Sequence, residues 1–399
     1  MISTFITDES IAQWTPVSNG LGNDKSISAI SKSGNYIYVS VYNGVYKSTN
    51  NGNEWVRTPM GNLNTIYITA KENNVYTSVY NACNNSSGIY HSTDYGETWK
   101  QTSIYERLIP TIAITGKIVF AGSWVCLHPG GVYKSSDNGI NWENILTDLD
   151  VESLFLIDTT IYAGAVNNFF SSGGLYKSTN LGVTWSFLGL INRSILSCAV
   201  SGDKIYAGTF AGIFVSSNNG VKWTQTSLNN QWIRSIVVSG DNVIAGTERG
   251  GVFLSRNKGI NWVEKNEGLD TLDVRSLLIS EDYVFAGTRG KGIYKRSLSE
   301  LVSVEQTTEV LPSGYSITQN FPNPFNPVTK INFSIPKQGM TTLKIFDITG
   351  RLVATLVNEI KAPGFYSVNF EGTGFASGAY FYKLESLDFS DVKRMILVK

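Results

Sequence analysis

Three charged side chains stand at one position of three aligned apolar segments: Glu152 in VESLFLI, Arg234 in IRSIVVS and Arg275 in VRSLLIS. Asp150 and Asp273 each lie two residues ahead, in LDVES and LDVRS, and Arg193 opens a related segment slightly earlier. Charge that converges in this way can bind a carboxylate, a phosphate or a charged peptide. It can equally be consumed in ion pairs, Arg234 or Arg275 with Asp273 for example. Paired carboxyls are also what a glycoside hydrolase requires, and Asp150, Asp273 and Glu152 would serve if the chain were one. None of them stands in a recognisable catalytic motif. A second set is mostly aromatic. Tyr80, Trp124, His128, Phe169 and Phe170 fall in three long loops, SVYNACNNSSG, GSWVCLHPGG and GAVNNFFSSGG. Exposed rings there suit sugar or peptide binding, or they pack the loops down onto the fold. His91 and His128 cannot supply Ser-His-Asp chemistry, and no phosphate loop or His/Cys metal cluster is visible, so no cofactor or metal is expected.

The elements that position these residues repeat. Gly, an aliphatic residue, an aromatic and a polar turn recur seven times, from Gly44, Gly88, Gly131, Gly174, Gly212, Gly251 and Gly292. The steps are 44, 43, 43, 38, 39 and 41 residues. A period of this length predicts an all-β, seven-bladed β-propeller with one four-stranded sheet per repeat. In the unit around Gly212, ILSCAVS reads as strand A, KIYAGTF as B, GIFVSS as C and KWTQT as D. In such a ring the D–A and B–C loops share one face, which carries every candidate residue named above.

Six of the seven copies are followed by a turn of the form S-x-[DN]-x-G-x-x-W. Its Asn or Asp residues are Asn50, Asp94, Asp137, Asn180, Asn218 and Asn257. Its tryptophans are Trp55, Trp99, Trp142, Trp185, Trp223 and Trp262. The Asx side chain can bond the backbone of its own turn, glycine supplies a positive φ, and the tryptophan buries between blades. The copy after Gly292 lacks this ending, and Trp14, in AQWTPVS, has no repeat in front of it. The expected solution is a ring whose last blade takes its outer strand from the N-terminal segment, which removes both open sheet edges.

This turn resembles the Asp-box, or BNR, repeat of sialidases, sortilin-like receptors, xyloglucanases and photosystem II assembly factors. The resemblance covers residues 10 to 297. It implies a propeller without fixing a reaction, and places the boxes opposite the ligand face, so Asp94 and Asp137 read as structural rather than catalytic. The sialidase Arg-Ile-Pro motif is absent; ERLIP at Glu106–Pro110 is a faint echo.

Lys plus Arg and Asp plus Glu are 32 each, a balance that argues against a nucleic-acid partner. No stretch is long and apolar enough to span a membrane as a helix. MISTFITDES has no basic start before an apolar core, so the true start is expected upstream or removed. Cys83 and Cys126 lie in loops of adjacent blades and are either bridged or free; Cys198, in an apolar strand, reads as core.

The propeller is expected over residues 1–297, a polar linker over 298–313 and a small β-sandwich over 314–399. In the last, Pro322, Pro324 and Pro327 should hold the chain extended while Phe321 and Phe325 dock on a core. QNFPNPFNP, IFDITGRLVATLV, SGAYFYKLE and a terminal KRMILVK resemble the type A C-terminal sorting domain of type IX secretion, related to an immunoglobulin-like module. The resemblance implies export across an outer membrane of Bacteroidota-like bacteria, with the secretion machinery as partner of residues 314–399. The resulting expectation is a secreted or surface-displayed, non-catalytic binding propeller whose ligand is a glycan or an envelope protein. The alternatives are a sialidase-like or xyloglucanase-like hydrolase, and an assembly chaperone gripping partners through Arg193, Arg234 and Arg275.

Overall fold

The computed structural model describes residues 13–168, 172–302, 312 and 314–398. Phe169 and Phe170 lie outside the described residues, as does most of the expected linker. Two compact units meet between Ser303 and Val304.

The first unit is the propeller. Its described residues form seven four-stranded antiparallel sheets. In the fifth, Ile195–Ser201 is strand A, Lys204–Thr209 B, Gly212–Ser216 C and Thr224–Asn229 D. Each strand A packs beside the next, and Ile27–Ser33 of the first sheet lies against Val274–Ser280 of the last, so the arrangement is a ring. The closing sheet takes Thr15–Pro16 as its outer strand, with Thr15 opposite Lys295 and Pro16 opposite Tyr294. Trp14 is fully buried there and donates its indole N–H to the Lys265 carbonyl at 2.6 Å.

Two devices join neighbouring blades. Hydroxyls one residue beyond the aligned charged position cross from strand A to strand A. Thr111 accepts from the Leu154 N–H at 3.1 Å, Ser235 from Leu277 at 3.0 Å and Ser276 from Ile30 at 3.1 Å. The second device is the C–D turn. In the Ser92–Trp99 copy, the Ser92 Oγ accepts from the Gly96 N–H at 2.8 Å and donates to Asp94 Oδ1 at 2.6 Å, while Asp94 accepts from the Thr98 N–H at 2.8 Å. Equivalent bonds recur at Asn50, Asp137, Asn180, Asn218 and Asn257. Gly96 sits at φ 86°, a backbone conformation that favours glycine. Trp55 is fully buried; the other five turn tryptophans are half-buried.

Residues 298–302 are not linker. Leu298–Val302 forms a short helix whose Leu301 is fully buried in the core of the closing blade. An apolar residue placed to reach that core outweighs the polar composition around it.

The second unit is a sandwich of two antiparallel sheets. Ser316–Ile317, Val328–Ile335 and Gly364–Glu371 form one, and Leu352–Lys361, Gly339–Phe346, Gly378–Ser386 and Phe389–Leu397 the other. Ile331, Phe333, Leu343, Ile345, Tyr382 and Leu384 fill the space between them. Phe325 docks on this core as expected, but Phe321 is 80% exposed. The expected extended run is instead a series of bends whose three prolines follow cis peptide bonds.

Candidate functional site

One residue of each strand A faces the axis near the channel mouth: Ser28, Ile66, Pro110, Glu152, Leu196, Arg234 and Arg275, in blade order. They line a cavity of about 670 Å³ that runs into the ring. The aligned position of the sequence is therefore a ring of side chains, charged on blades 4, 6 and 7 and apolar on blades 2, 3 and 5.

The arginines are held by carboxylates. Arg234 donates from Nε to Glu248 Oε2 at 2.7 Å, with a second contact from Nη2 to the same oxygen. Arg275 grips Asp273 with two contacts, Nε–Oδ1 at 2.6 Å and Nη2–Oδ2 at 2.9 Å, and reaches Glu248 Oε1 at 3.4 Å. The Arg275–Asp273 pairing expected from the sequence is present; Arg234 pairs with Glu248 instead. Burial works against ionisation of Glu248, yet the hydrogen bond and charge of Arg234, with the charges of Arg275 and Arg249, hold its carboxyl below the usual range. Arg249 and Arg289, in the B–C turns of blades 6 and 7, add two more guanidiniums on the rim. Four arginines thus stand against the carboxylates of Glu248 and Asp273 and the carboxyl of Glu152.

Glu152 differs from both. It is half-exposed to the channel, yet its carboxyl is enclosed by the ring walls. Burial pushes that carboxyl up to about 7, against the opposing pull of the Arg234 charge and the Trp124 indole N–H. That indole N–H is itself buried and closes no ordinary hydrogen bond.

Asp150 is not a cleft acid. It is 2% exposed; Oδ1 accepts the Val125 N–H and Oδ2 accepts from Asn168 Nδ2 at 2.7 Å. It anchors the long loops of blades 3 and 4. Asp273 is occupied by Arg275. Neither presents the free carboxyl that a hydrolase would need. Asp94 and Asp137 lie on the turn face. Hydrogen bonds from Ser92 and Thr98 hold the Asp94 carboxyl at about 2, and those from Asn141 and Ser135 do the same for Asp137.

The expected aromatic wall over blades 2–4 is not formed by the described rings. Tyr80 and Trp124 are half-buried, and His128 lies 3.5 Å from Glu106. Cys83 and Cys126 are disulfide-bonded and tie the loops of blades 2 and 3 together. Cys198 is buried, and burial pushes its thiol up to about 12. His91 stacks on Tyr76 at 4.0 Å, and burial takes its imidazole down to about 4.

The exposed rings are elsewhere. Phe210 and Trp232, about two-fifths exposed, meet edge to face at 4.8 Å over blades 5 and 6. Arg249 and Arg234 lie 5.6 and 5.9 Å from the Trp232 ring centre, and Arg193 lies 5.1 Å from the Phe214 ring. A signal for Trp232 was present in the sequence. Of nine tryptophans, seven belong to the repeat, and the two left over are Trp124 and Trp232, both at this end of the ring.

Residues 319–399 match the family described as a secretion system C-terminal sorting domain. The C-terminal unit is a type IX secretion sorting domain. The protein is accordingly secreted or displayed at the outer-membrane surface. No helix among the described residues is long and apolar enough to cross a membrane. No curated protein matches the sequence. Among solved structures, PorZ, a surface component of the type IX secretion system of Porphyromonas gingivalis, is similar at TM-score 0.53 and 14% identity. The match covers 96% of this chain but only 61% of PorZ. YCF48 bound to D1 peptide is similar at 0.55 and 15%, over 72% of this chain and 99% of that one. An ancestral GH74 enzyme is similar at 0.53 and 17%, over 96% and 63%. These identities establish the fold alone.

Proposed function

We propose that the propeller is a non-catalytic binding module, displayed by its sorting domain, that captures an acidic segment of another envelope protein on the rim of blades 5–7. The excess of guanidiniums over carboxylates beside the exposed Phe210–Trp232 pair carries this reading. Arginine and tryptophan are the side chains that most often dominate protein interfaces, and positive charge selects an acidic partner. Arg193 and Arg249 engage rings rather than carboxylates, while Glu248 and Asp273 hold Arg234 and Arg275 in place. The similarity to a peptide-bound propeller agrees with a peptide ligand. A hydrolase is less well supported, because Asp150 and Asp273 are engaged by their neighbours and Glu152 is left without a second free carboxyl.

The test is binding to an array of acidic, neutral and basic peptides, with a glycan array in parallel. Acidic peptides should be retained, weaken with added salt, and be lost in Trp232→Ala and Arg249→Ala. Equal retention of neutral peptides, or binding confined to glycans, would overturn the proposal.

A further inference from the structure

We propose that the central channel is a second binding site, for a small amphiphilic carboxylate, with its head at Arg234, Arg275 and Arg289 and its apolar part inside the ring. The ligand is small and lies within the channel, so this goes beyond the partner proposed for the rim.

Shape is the first argument. A cavity of about 670 Å³ falls within the range typical of small-molecule sites and is too small for a folded partner. Polarity is the second. Ile66, Pro110 and Leu196 form the apolar part of the mouth, and Leu154, Ile236 and Leu277 line the channel beyond it. Arg234 and Arg275 stand together on blades 6 and 7, while Glu152 stands apart on blade 4 between Pro110 and Leu196. A purely polar anion would leave the apolar walls facing water, and a purely apolar ligand would strip the arginines of solvent, so the lining fits a molecule with both ends.

The third argument is hydrogen-bond direction. Arg234 and Arg275 are oriented by Glu248 and Asp273 through Nε and Nη2, and among the described residues nothing engages the Nη1 of either. Arg289 lines the cavity, is exposed and has no carboxylate partner among the described residues. The buried Trp124 indole N–H faces the Glu152 carboxyl without closing an ordinary hydrogen bond. Guanidiniums pre-oriented from behind suit the two oxygens of a carboxylate.

The titratable groups of the lining are Tyr67, Glu152, Cys198, Arg234, Arg275 and Arg289. Burial raises Tyr67 and Cys198, so both are neutral near pH 7. Glu152 alone changes charge there, at about 7, facing Arg234 from blade 6 and Trp124 from blade 3. Its flanking ring neighbours, Pro110 and Leu196, do not titrate. When protonated it adds a donor; when ionised it repels a second carboxylate and competes for Arg234. Carboxylate binding should therefore weaken as pH rises through that value.

The experiment is calorimetric titration of the full chain with octanoate, with octanol as the uncharged control. Two further arms are a short peptide ending in a free leucine carboxylate and its C-terminal amide. Saturable octanoate binding is expected, about tenfold tighter at about pH 6 than at about pH 8, with no binding of octanol. Arg289→Gln, an exposed position that does not threaten folding, should weaken it severalfold. Glu152→Gln should bind at both pH values with the pH dependence gone. If only the peptide acid binds, the carboxylate comes from a chain terminus; if only octanoate binds, it is a free amphiphile. Absence of saturable binding by either acid, octanol or amide binding as well as the acids, or an unchanged pH profile in Glu152→Gln would overturn the proposal. Octanoate should bind even if every acidic peptide fails on the rim, so the two proposals fail separately.

Discussion

Asp94 and Glu152 are carboxylic acids on opposite faces of one ring, and their surroundings drive them in opposite directions. Hydrogen bonds from its own turn hold Asp94 at about 2; burial in the channel holds Glu152 near 7. The turn face is repeated chemistry, in which the Ser and Asx side chains of each turn bond residues at most four positions away. The channel mouth is unrepeated chemistry, in which each blade contributes a different side chain. Groups engaged by their own backbone build the scaffold, and the proposed sites use groups that differ from blade to blade.

The sharpest way to break this contrast is on the scaffold side. Trp14→Ala removes a fully buried indole and its bond to Lys265 in the closing blade. It should cost about 3–5 kcal/mol in denaturant unfolding. An unchanged midpoint would mean that the closing strand contributes nothing to the ring.

Glu152→Gln tests the other side. A folded carboxyl raised from 4.5 to about 7 favours the native state fully below 4.5, and that contribution is lost as pH rises through 7. The variant should match the parent in acid and be more stable at about pH 8, by up to about 2–3 kcal/mol. A pH-independent difference in stability would remove Glu152 from the comparison.

Asp94→Asn and Asp137→Asn carry the opposite sign. Their depressed carboxyls stabilise the fold above 3.8, and that contribution is lost as pH falls towards 2. Acid unfolding curves of the double variant should be flatter between those values. The smallest effect on stability is expected from Trp232→Ala, within about 0.5 kcal/mol because the ring is exposed, although peptide binding should be lost. A large loss of stability would make Trp232 part of the scaffold.

Much of the scaffold was legible because its causes are local. The Gly-aliphatic-aromatic phrases begin the C strands, from Gly44–Ser48 to Gly292–Ser297, except in blade 4, where the strand starts earlier at Ser172. The unpaired Trp14 foretold the closing strand. Loop length says nothing about where a ring points: of the expected wall, Tyr80 and Trp124 are half-buried, and Phe169 and Phe170 lie outside the described residues. Trp124 turns its indole N–H towards Glu152, and the exposed Phe210–Trp232 pair sits at a short turn. Phe321 and Phe325 stand four residues apart in one motif, yet only the second reaches the core.

By itself, the sequence determined the repeat, its turns, the way the ring closes and the sorting tail. The turns follow from backbone conformation and from hydrogen bonds within a few residues, and the closure from a motif half missing at one end of the repeat and present at the other. Only the tertiary structure decided which charges are free. Asp150 and Glu152 are two residues apart, at the start of one strand. The first is bonded by Val125 and Asn168, and the second faces an arginine more than eighty residues away. Burial and through-space charge set a carboxyl's availability, and for Glu152 the acting groups belong to other blades.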